Sequence, residues 1–367
     1  MPSTSHITRL AFRALRVADV PAMRQRLQFQ ALRQRYYKDY WRRVARELGG
    51  HTEELGSGFT RISTGSRSTI VRQGELRLDD HLTLELMGNK RLTYRLMLEQ
   101  DCALPRHACF TLGDLRPALS LLETAGGSIV VKPASGTGGG NGVITNIRSR
   151  RALRYAAFLA SRFDTTLLAE EQLEGHSYRL LYFDGVLLDA VRRDPPGVTG
   201  DGHSSIGQLM RAETARRLDW EPFTALSPLA LDQEARTTLA LQKLAPSTVP
   251  DRGQWVMVKT ATNQNAAAEN HVVTGRVHPA TALGCSRLVN ALGVRLAGVD
   301  IIARDIAKPL GPANGMIGEI NTTPGLHHHD LVSAQPEGDM AGTRIIRQML
   351  EDRVLTEHSP ALHMVAG

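Results

Sequence analysis

Two stretches of the 367-residue chain have residue types and spacings that could do chemistry on a phosphate. The first is Ile129-Val130-Val131-Lys132-Pro133, a β-branched run ending in a lysine, followed by Ser135 and a loop with glycines at 136, 138, 139, 140 and 142. Glycine lacks a Cβ, so the backbone N–H groups of such a loop can approach phosphate oxygens while the lysine supplies charge. The loop is not a Walker loop, since no Gly-Lys-Ser/Thr follows, and Asn141 stands where a GxGxxG fingerprint needs its third glycine. The second stretch comprises Asp300 in one apolar run and Glu319-Ile320-Asn321 in another. Strand alternation puts Glu319 and Asn321 on one face, so hard oxygen donors can converge on Mg²⁺, which suits oxygen ligands and bridges phosphates.

The elements that position these residues follow from periodicity. Apolar residues between 7 and 48 recur at helical spacing with arginines between them, and Gly49-Gly50 ends that pattern. Short strands are expected around Arg61 and at 69–71, giving a small N-terminal α+β unit. Beyond Lys90, helices over 91–100, 148–162 and 204–218 alternate with strands at 128–131, 143–147 and 166–169, and with a hairpin turning at Asp184-Gly185. The run 220–252 reads as a helix with loops. A strand pair at 298–303 and 316–321 precedes a last helix over 342–350.

Taken in order, these motifs resemble the ATP-grasp superfamily, and most closely the ATP-grasp module of cyanophycin synthetases. The resemblance runs from Gly88-Asn89-Lys90 to Pro324-Gly325-Leu326. It includes Lys90 and the helix after it, Arg192-Arg193 followed by Val198-Thr199-Gly200-Asp201-Gly202, His278-Pro279, Gly298-Val299-Asp300, and Glu319 to Gly325. It implies an α/β (α+β) fold in which two α+β subdomains grip ATP behind a small N-terminal unit. The expected divisions are 1–87, 88–185 for the central and lid subdomain, and 186–367 for the C-terminal subdomain with the Mg²⁺ site.

By the same resemblance, Lys90 and Lys132 contact phosphates, with Ser135, Gly138, Gly139 and Gly140 in the covering loop. Glu170, Glu171 and Leu173 hold adenine, and Ser177 stands where many relatives place an acid for the ribose, so either Glu174 or a water substitutes or the ribose contact is weak. Asp300, Glu319 and Asn321 bind two Mg²⁺, with Mn²⁺ as an alternative, and Arg193, Lys259 and Asn263 serve the reaction. Gly298 replaces an arginine of the D-alanine ligase branch, which argues against that activity. Lys259 and the run 264–268 depart from the cyanophycin pattern, so a different substrate is expected.

The expected activity is ATP-dependent ligation of a carboxylate to an amine through an acyl phosphate, releasing ADP and phosphate. The alternative is a nucleotide-binding or kinase-like ATP-grasp protein with no ligase step. Substrates would be small amino acids or short peptides, joined singly, because about 45 residues after Gly325 leave no room for a second ATP-dependent module at usual domain size. His327-His328-His329 on an extended segment would not converge on zinc, and His327 or His329 would instead meet a substrate carboxylate.

Composition adds exclusions. The 44 Lys/Arg against 37 Asp/Glu give +7, yet the first fifty residues alone hold eleven bases against three acids, so the basic character is local. Tyr36, Tyr37, Tyr40 and Trp41 crowd that helix, which points to packing on the core or on a second subunit rather than to a nucleic-acid arm. No apolar stretch approaches the roughly 18 residues a membrane span needs. Cys102, Cys109 and Cys285 show no CxxC spacing, and a cytoplasmic protein that binds neither nucleic acid nor membrane is expected, with a homodimer left open.

Overall fold

A computed structural model describes residues 20–135, 142–219, 221–334, 340–352 and 357–358, and the side chains of all of these except 20–23 and 357–358. Gly138, Gly139 and Gly140 of the glycine loop therefore lie outside the described residues, as does the part of the basic helix expected before residue 20.

The chain opens on α1 (Val20–Glu47), followed by β1 (His51–Gly56), β2 (Phe59–Thr64), β3 (Arg67–Arg72) and β4 (Glu75–Leu76). These strands pair in order as antiparallel neighbours, and β16 (Glu357–His358) pairs with the first residues of β3, which also pairs with β4 through its last two. The crowded aromatics of α1 face inward. Tyr36, Tyr40, Trp41 and Val44 are buried in a core shared with Leu181, Phe183, Leu296 and Leu326, and with Ile345 and Met349 of α10 (Ala341–Glu351). The Trp41 indole also donates to the Gln73 carbonyl at 2.7 Å. The basic helix thus packs on the body of the chain, as its aromatics predict.

Next come α2 (His81–Met87), α3 (Lys90–Glu99), β5 (His107–Phe110), α4 (Arg116–Thr124), β6 (Ile129–Pro133), β7 (Ile144–Ile147), α5 (Arg150–Ala160) and β8 (Leu167–Glu171). Strands β5, β8, β6 and β7 form one antiparallel sheet in that order, and Ala118 of α4 and Leu153 of α5 pack over Ile129, Val131 and Leu167. Asn89 caps α3 by accepting from the Leu92 N–H at 3.3 Å. The same turn bridges to Ser135, and the Lys90 N–H donates to the Ala134 carbonyl at 2.9 Å. These bonds pin the start of α3 to the end of β6, which brings Lys90 and Lys132 to one place.

The second half adds β9 (His176–Phe183), β10 (Val186–Arg193), β11 (Gly197–Thr199), α6 (Ile206–Arg216), α7 (Gln233–Leu241), β12 (Trp255–Met257), β13 (Asn270–Val272), α8 (Pro279–Ala291), β14 (Leu296–Ala303), β15 (Gly315–Thr322) and α9 (His327–Asp330). Strands β13-β10-β9-β14-β15 make a five-stranded antiparallel sheet. One face of it joins the α1 core, and the other packs against α3 and α8 through Met97, Tyr182, Leu288 and Val299. The pair β11 and β12 packs separately on α6 and α7.

The Asp184-Gly185 turn forms as expected, with φ of 46° and 74°. Because it joins two neighbouring strands of one sheet, the expected division at 185/186 falls inside a hairpin, and the sheet draws strands from both sides of it. The histidine run also differs from expectation: 327–330 is a single helical turn, not an extended segment. No helix among the described residues is long and apolar enough to cross a membrane.

Replacing Trp41 with Ala should lower the unfolding free energy by about 3–5 kcal/mol, the usual cost of emptying a buried aromatic site. Urea denaturation measures it, and a loss below about 1 kcal/mol would show that α1 is not part of the cooperative core.

Candidate active site

Register in the five-stranded sheet lines up a row of charge. Arg179 on β9 is directly opposite Asp300 on β14, which is opposite Glu319 on β15. Residues opposite each other in an antiparallel pair share a face. Arg193 on β10 is opposite Ser177, two residues along β9 from Arg179 and so on the same face. Asn321, opposite Gly298, completes the patch.

Asp300 is the centre. Its Oδ1 accepts from Arg179 Nε at 2.8 Å and from Arg193 at 3.0 Å, and its Oδ2 accepts from Arg179 at 2.6 Å and from Asn321 Nδ2 at 3.0 Å. Burial works to raise this carboxyl, but Arg179 and then Arg193 outweigh it and hold the group below the usual carboxylate range. Burial in turn draws the Arg193 guanidinium down to about 10, with Asp300 opposing and Arg179 assisting. Gly298 makes this geometry possible: a Cβ there would sit 2.9 Å from Pro324 Cβ and 3.6 Å from the Arg179 side chain. The guanidinium beside Asp300 comes from Arg179 on the adjacent strand.

Two lysines close the patch, Lys90 from the start of α3 and Lys132 from β6. Lys90 pairs with Glu319 at 2.7 Å. Lys132 pairs with Glu170 at 2.6 Å and donates to the Tyr94 hydroxyl at 3.1 Å; that hydroxyl donates to Glu170 and lies 2.7 Å from the Gly318 carbonyl. Burial disfavours the Lys132 ammonium, yet Glu170, Tyr94 and Glu319 reverse the effect and keep it charged.

These groups border a cavity of about 520 Å³ whose walls include Lys90, Lys132, Arg179, Arg193, Glu319 and Asn321. As a seat for a hard cation the donor set fits. Asn321 has committed only its Nδ2 and Glu319 only its Oε1, leaving one oxygen open on each among the described residues. Asp300 already accepts four N–H groups, so it can offer an oxygen only by giving one of them up.

The remaining expected residues fall in several places. Ser177 Oγ accepts from Arg193 at 2.9 Å, at the edge of the patch. Glu174 is exposed and paired with Arg304, away from it. Ser135 donates to Asp164 at 2.7 Å beside the glycine loop. In the expected adenine hinge, the N–H groups of Glu171 and Gln172 already donate to Arg106 and Ser128 carbonyls, while the Leu173 N–H has no partner among the described residues. Asn263 borders the central cavity, but Lys259 does not: its Nζ is buried between Asp232 at 2.5 Å and Glu234 at 3.4 Å. Lys259 lines a neighbouring cavity of about 290 Å³ that shares Val143 and Asn263 with the first.

The histidines divide. His327 and His328 line the central cavity, and burial above all, with Arg33 and Arg179 contributing, takes His327 down to about 3. His329 turns into the core, where Nδ1 meets Asp189 at 2.8 Å. From α1, Tyr36 donates to Asp330 at 2.6 Å, Arg43 binds the same carboxylate at 2.8 Å, and Tyr37 meets His327 Nδ1 at 3.0 Å. Arg179, Tyr94 and Arg33 are site residues that the sequence reading did not single out. Strand alternation from Ser177 could have found Arg179.

No protein-family profile matches the chain. It is 28% identical over 265 residues to the cyanophycin synthetase of Trichormus variabilis, covering 71% of this chain and 29% of that protein. It is 25% identical over 295 residues to the glutathione biosynthesis bifunctional protein GshAB of Clostridium perfringens, covering 78% and 37%. The crystal structure of a bifunctional glutathione synthetase from Pasteurella multocida superposes with a TM-score of 0.53 at 23% identity, over 84% of this chain and 44% of that one. The chain has the ATP-grasp fold. Its likeness to cyanophycin synthetases covers less than a third of their length. Lys90, Lys132 and the Asp300 row meet between the four-stranded and five-stranded sheets.

Replacing Asp300 with Asn strands two buried guanidiniums, so stability at pH 7 should fall by about 3–5 kcal/mol. Because the folded carboxyl sits below its ordinary value, its contribution is present above the unfolded value near 3.9 and is lost as pH falls further. The gap between the two proteins in urea denaturation should therefore narrow below about pH 4; a gap absent at pH 7 would contradict the pairing.

Proposed function

We propose that the chain is an ATP-dependent carboxylate–amine ligase that forms an amide through an acyl phosphate and releases ADP and phosphate. The observation that carries this reading is the cavity in which two lysines and two Asp300-bound arginines face the open oxygens of Glu319 and Asn321. Mg-ATP, as substrate, supplies the phosphoryl group and much of the charge to be managed.

This chain's residues then do the positioning. Lys90 and Lys132 exchange their carboxylate partners for phosphate oxygens, and Glu319, freed from Lys90, would hold the metal together with Asn321. Asp300 keeps Arg179 and Arg193 aligned, so their remaining N–H groups hold the acyl carboxylate and stabilise charge that develops during transfer. No covalent nucleophile from the protein is needed. The amine approaches from the smaller cavity, where Asp232 and Glu234, oriented by Lys259, suit an ammonium, and Asn263 stands at the shared wall.

The kinase-like alternative leaves a phosphorylated product and no condensation. A screen of amino acids and short peptides with Mg-ATP, read by mass spectrometry and phosphate release, separates the two. The expected result is ADP, phosphate and amide in equal amounts, with one discrete mass increment. AMP and pyrophosphate, or a stable phosphorylated product, would overturn it.

Glu319→Gln should lower turnover by about a hundredfold or more with the fold retained, since it removes a charged oxygen from the metal's seat. Lys132→Met should act chiefly on the KM for ATP. Steady-state kinetics with circular dichroism as the folding control measures both, and unchanged turnover in the Glu319 variant would remove that residue from the mechanism.

A further inference from the structure

Among the described residues, five cationic side chains line the central cavity: Arg33, Lys90, Lys132, Arg179 and Arg193. Four of them are matched, Lys90 by Glu319, Lys132 by Glu170, and both Arg179 and Arg193 by Asp300. Arg33 alone makes no ion pair among the described residues. Its polar contact is a single long one, Nη2 to the Leu226 carbonyl at 3.4 Å, which uses one of its five N–H donors. A guanidinium at a cavity wall with open donors is suited to a carboxylate, which it can grip with two parallel bonds.

The placement of Arg33 is set by the fold. It lies one helical turn before Tyr37 on α1, a spacing that puts both side chains on one face. Tyr37 is the residue that fixes His327. Burial above all, then the nearby Arg33 charge, keeps the His327 imidazole neutral. Arg33 and this imidazole thus belong to the same end of the cavity, on α1 and α9. Lys132 and Glu319, at the phosphate end, come from β6 and β15. A volume of about 520 Å³ falls within the range of cavities that hold a ligand of drug size.

We propose that Arg33 is a specificity-determining residue that binds a second anionic group on the acyl substrate, so that the preferred donor is a dicarboxylate or an equivalent dianion. This rests on the ligase reading. One carboxylate reacts beside Arg179 and Arg193, and the other is held by Arg33 with His327. The N-terminal helix, which packs like a structural element, thereby selects the substrate.

The test is calorimetric binding to the full chain in the presence of Mg²⁺ and a non-hydrolysable ATP analogue. The probes are N-acetylglutamate and N-acetylaspartate against N-acetylglutamine and N-acetylasparagine, which match them in size with one charge fewer. At least one dianion should bind about tenfold or more tighter than its amide. Arg33→Gln should abolish that preference and Arg33→Lys should keep part of it, both with unchanged affinity for the nucleotide analogue. Equal binding in the unmodified protein, a preference that survives Arg33→Gln, or no binding of either dianion would overturn the proposal. Failure of the ligase reading shows elsewhere, as tight binding of a dianion with no amide formed from ATP and any amine.

Discussion

A carboxylate that accepts four N–H bonds at the centre of a sheet is the constraint on which the rest of the site depends. Asp300 cannot be buried unpaired: removing two guanidiniums and one carboxylate from water is expensive, and only close mutual pairing offsets it. The pairing exists only if β10, β9, β14 and β15 hold the register that puts Arg193, Arg179, Asp300 and Asn321 on one face. Register and site are therefore one problem. Apolar side chains on the opposite face fix the same register independently, since a slip of one residue would expose Tyr182 and Val299 and bury the charges against α3 and α8.

The consequence for chemistry is a cationic wall that is already ordered. Guanidiniums held by a neighbouring carboxylate lose little freedom when an anion meets their remaining donors, and preorganised charge of this kind is what phosphoryl and acyl transfer require. Lys90 and Lys132 differ from the arginines because each is paired with a glutamate from a different element, Lys90 of α3 with Glu319 of β15 and Lys132 of β6 with Glu170 of β8. Neither pair involves Asp300, so each can be broken without taking a partner from that carboxylate. The α1 helix extends the same logic, since Tyr36, Tyr37 and Arg43 tie the 327–330 turn to the helix and give the cavity a wall built from outside the two sheets.

Much of this was legible in the sequence for a physical reason. Lys132, Glu319 and Asn321 sit in short apolar strands where alternation decides which way a side chain points, and the Asp184-Gly185 turn has the residue types that a tight hairpin needs. The packing of α1 was readable because four aromatics in two turns leave few alternatives. Other features depend on contacts between distant segments. Arg179 meets Asp300 across 121 positions of chain, and only the strand register reveals it. Lys259 follows an apolar run just as Lys132 does, yet the acids that bury it are on α7 and its cap, and nothing local says so. The histidine run has the local pattern of an extended segment, but α9 is stabilised by contacts of His327 and Asp330 with α1, so tertiary structure decides its conformation.

The measurement that bears most directly on this account is a crystal structure of the chain with Mg²⁺ and a non-hydrolysable ATP analogue. The account predicts triphosphate oxygens within hydrogen-bond distance of Lys90 and Lys132, metal on Glu319 and Asn321, and Arg179 still clasped to Asp300. A nucleotide bound elsewhere, or an Asp300 stripped of both arginines, would contradict it.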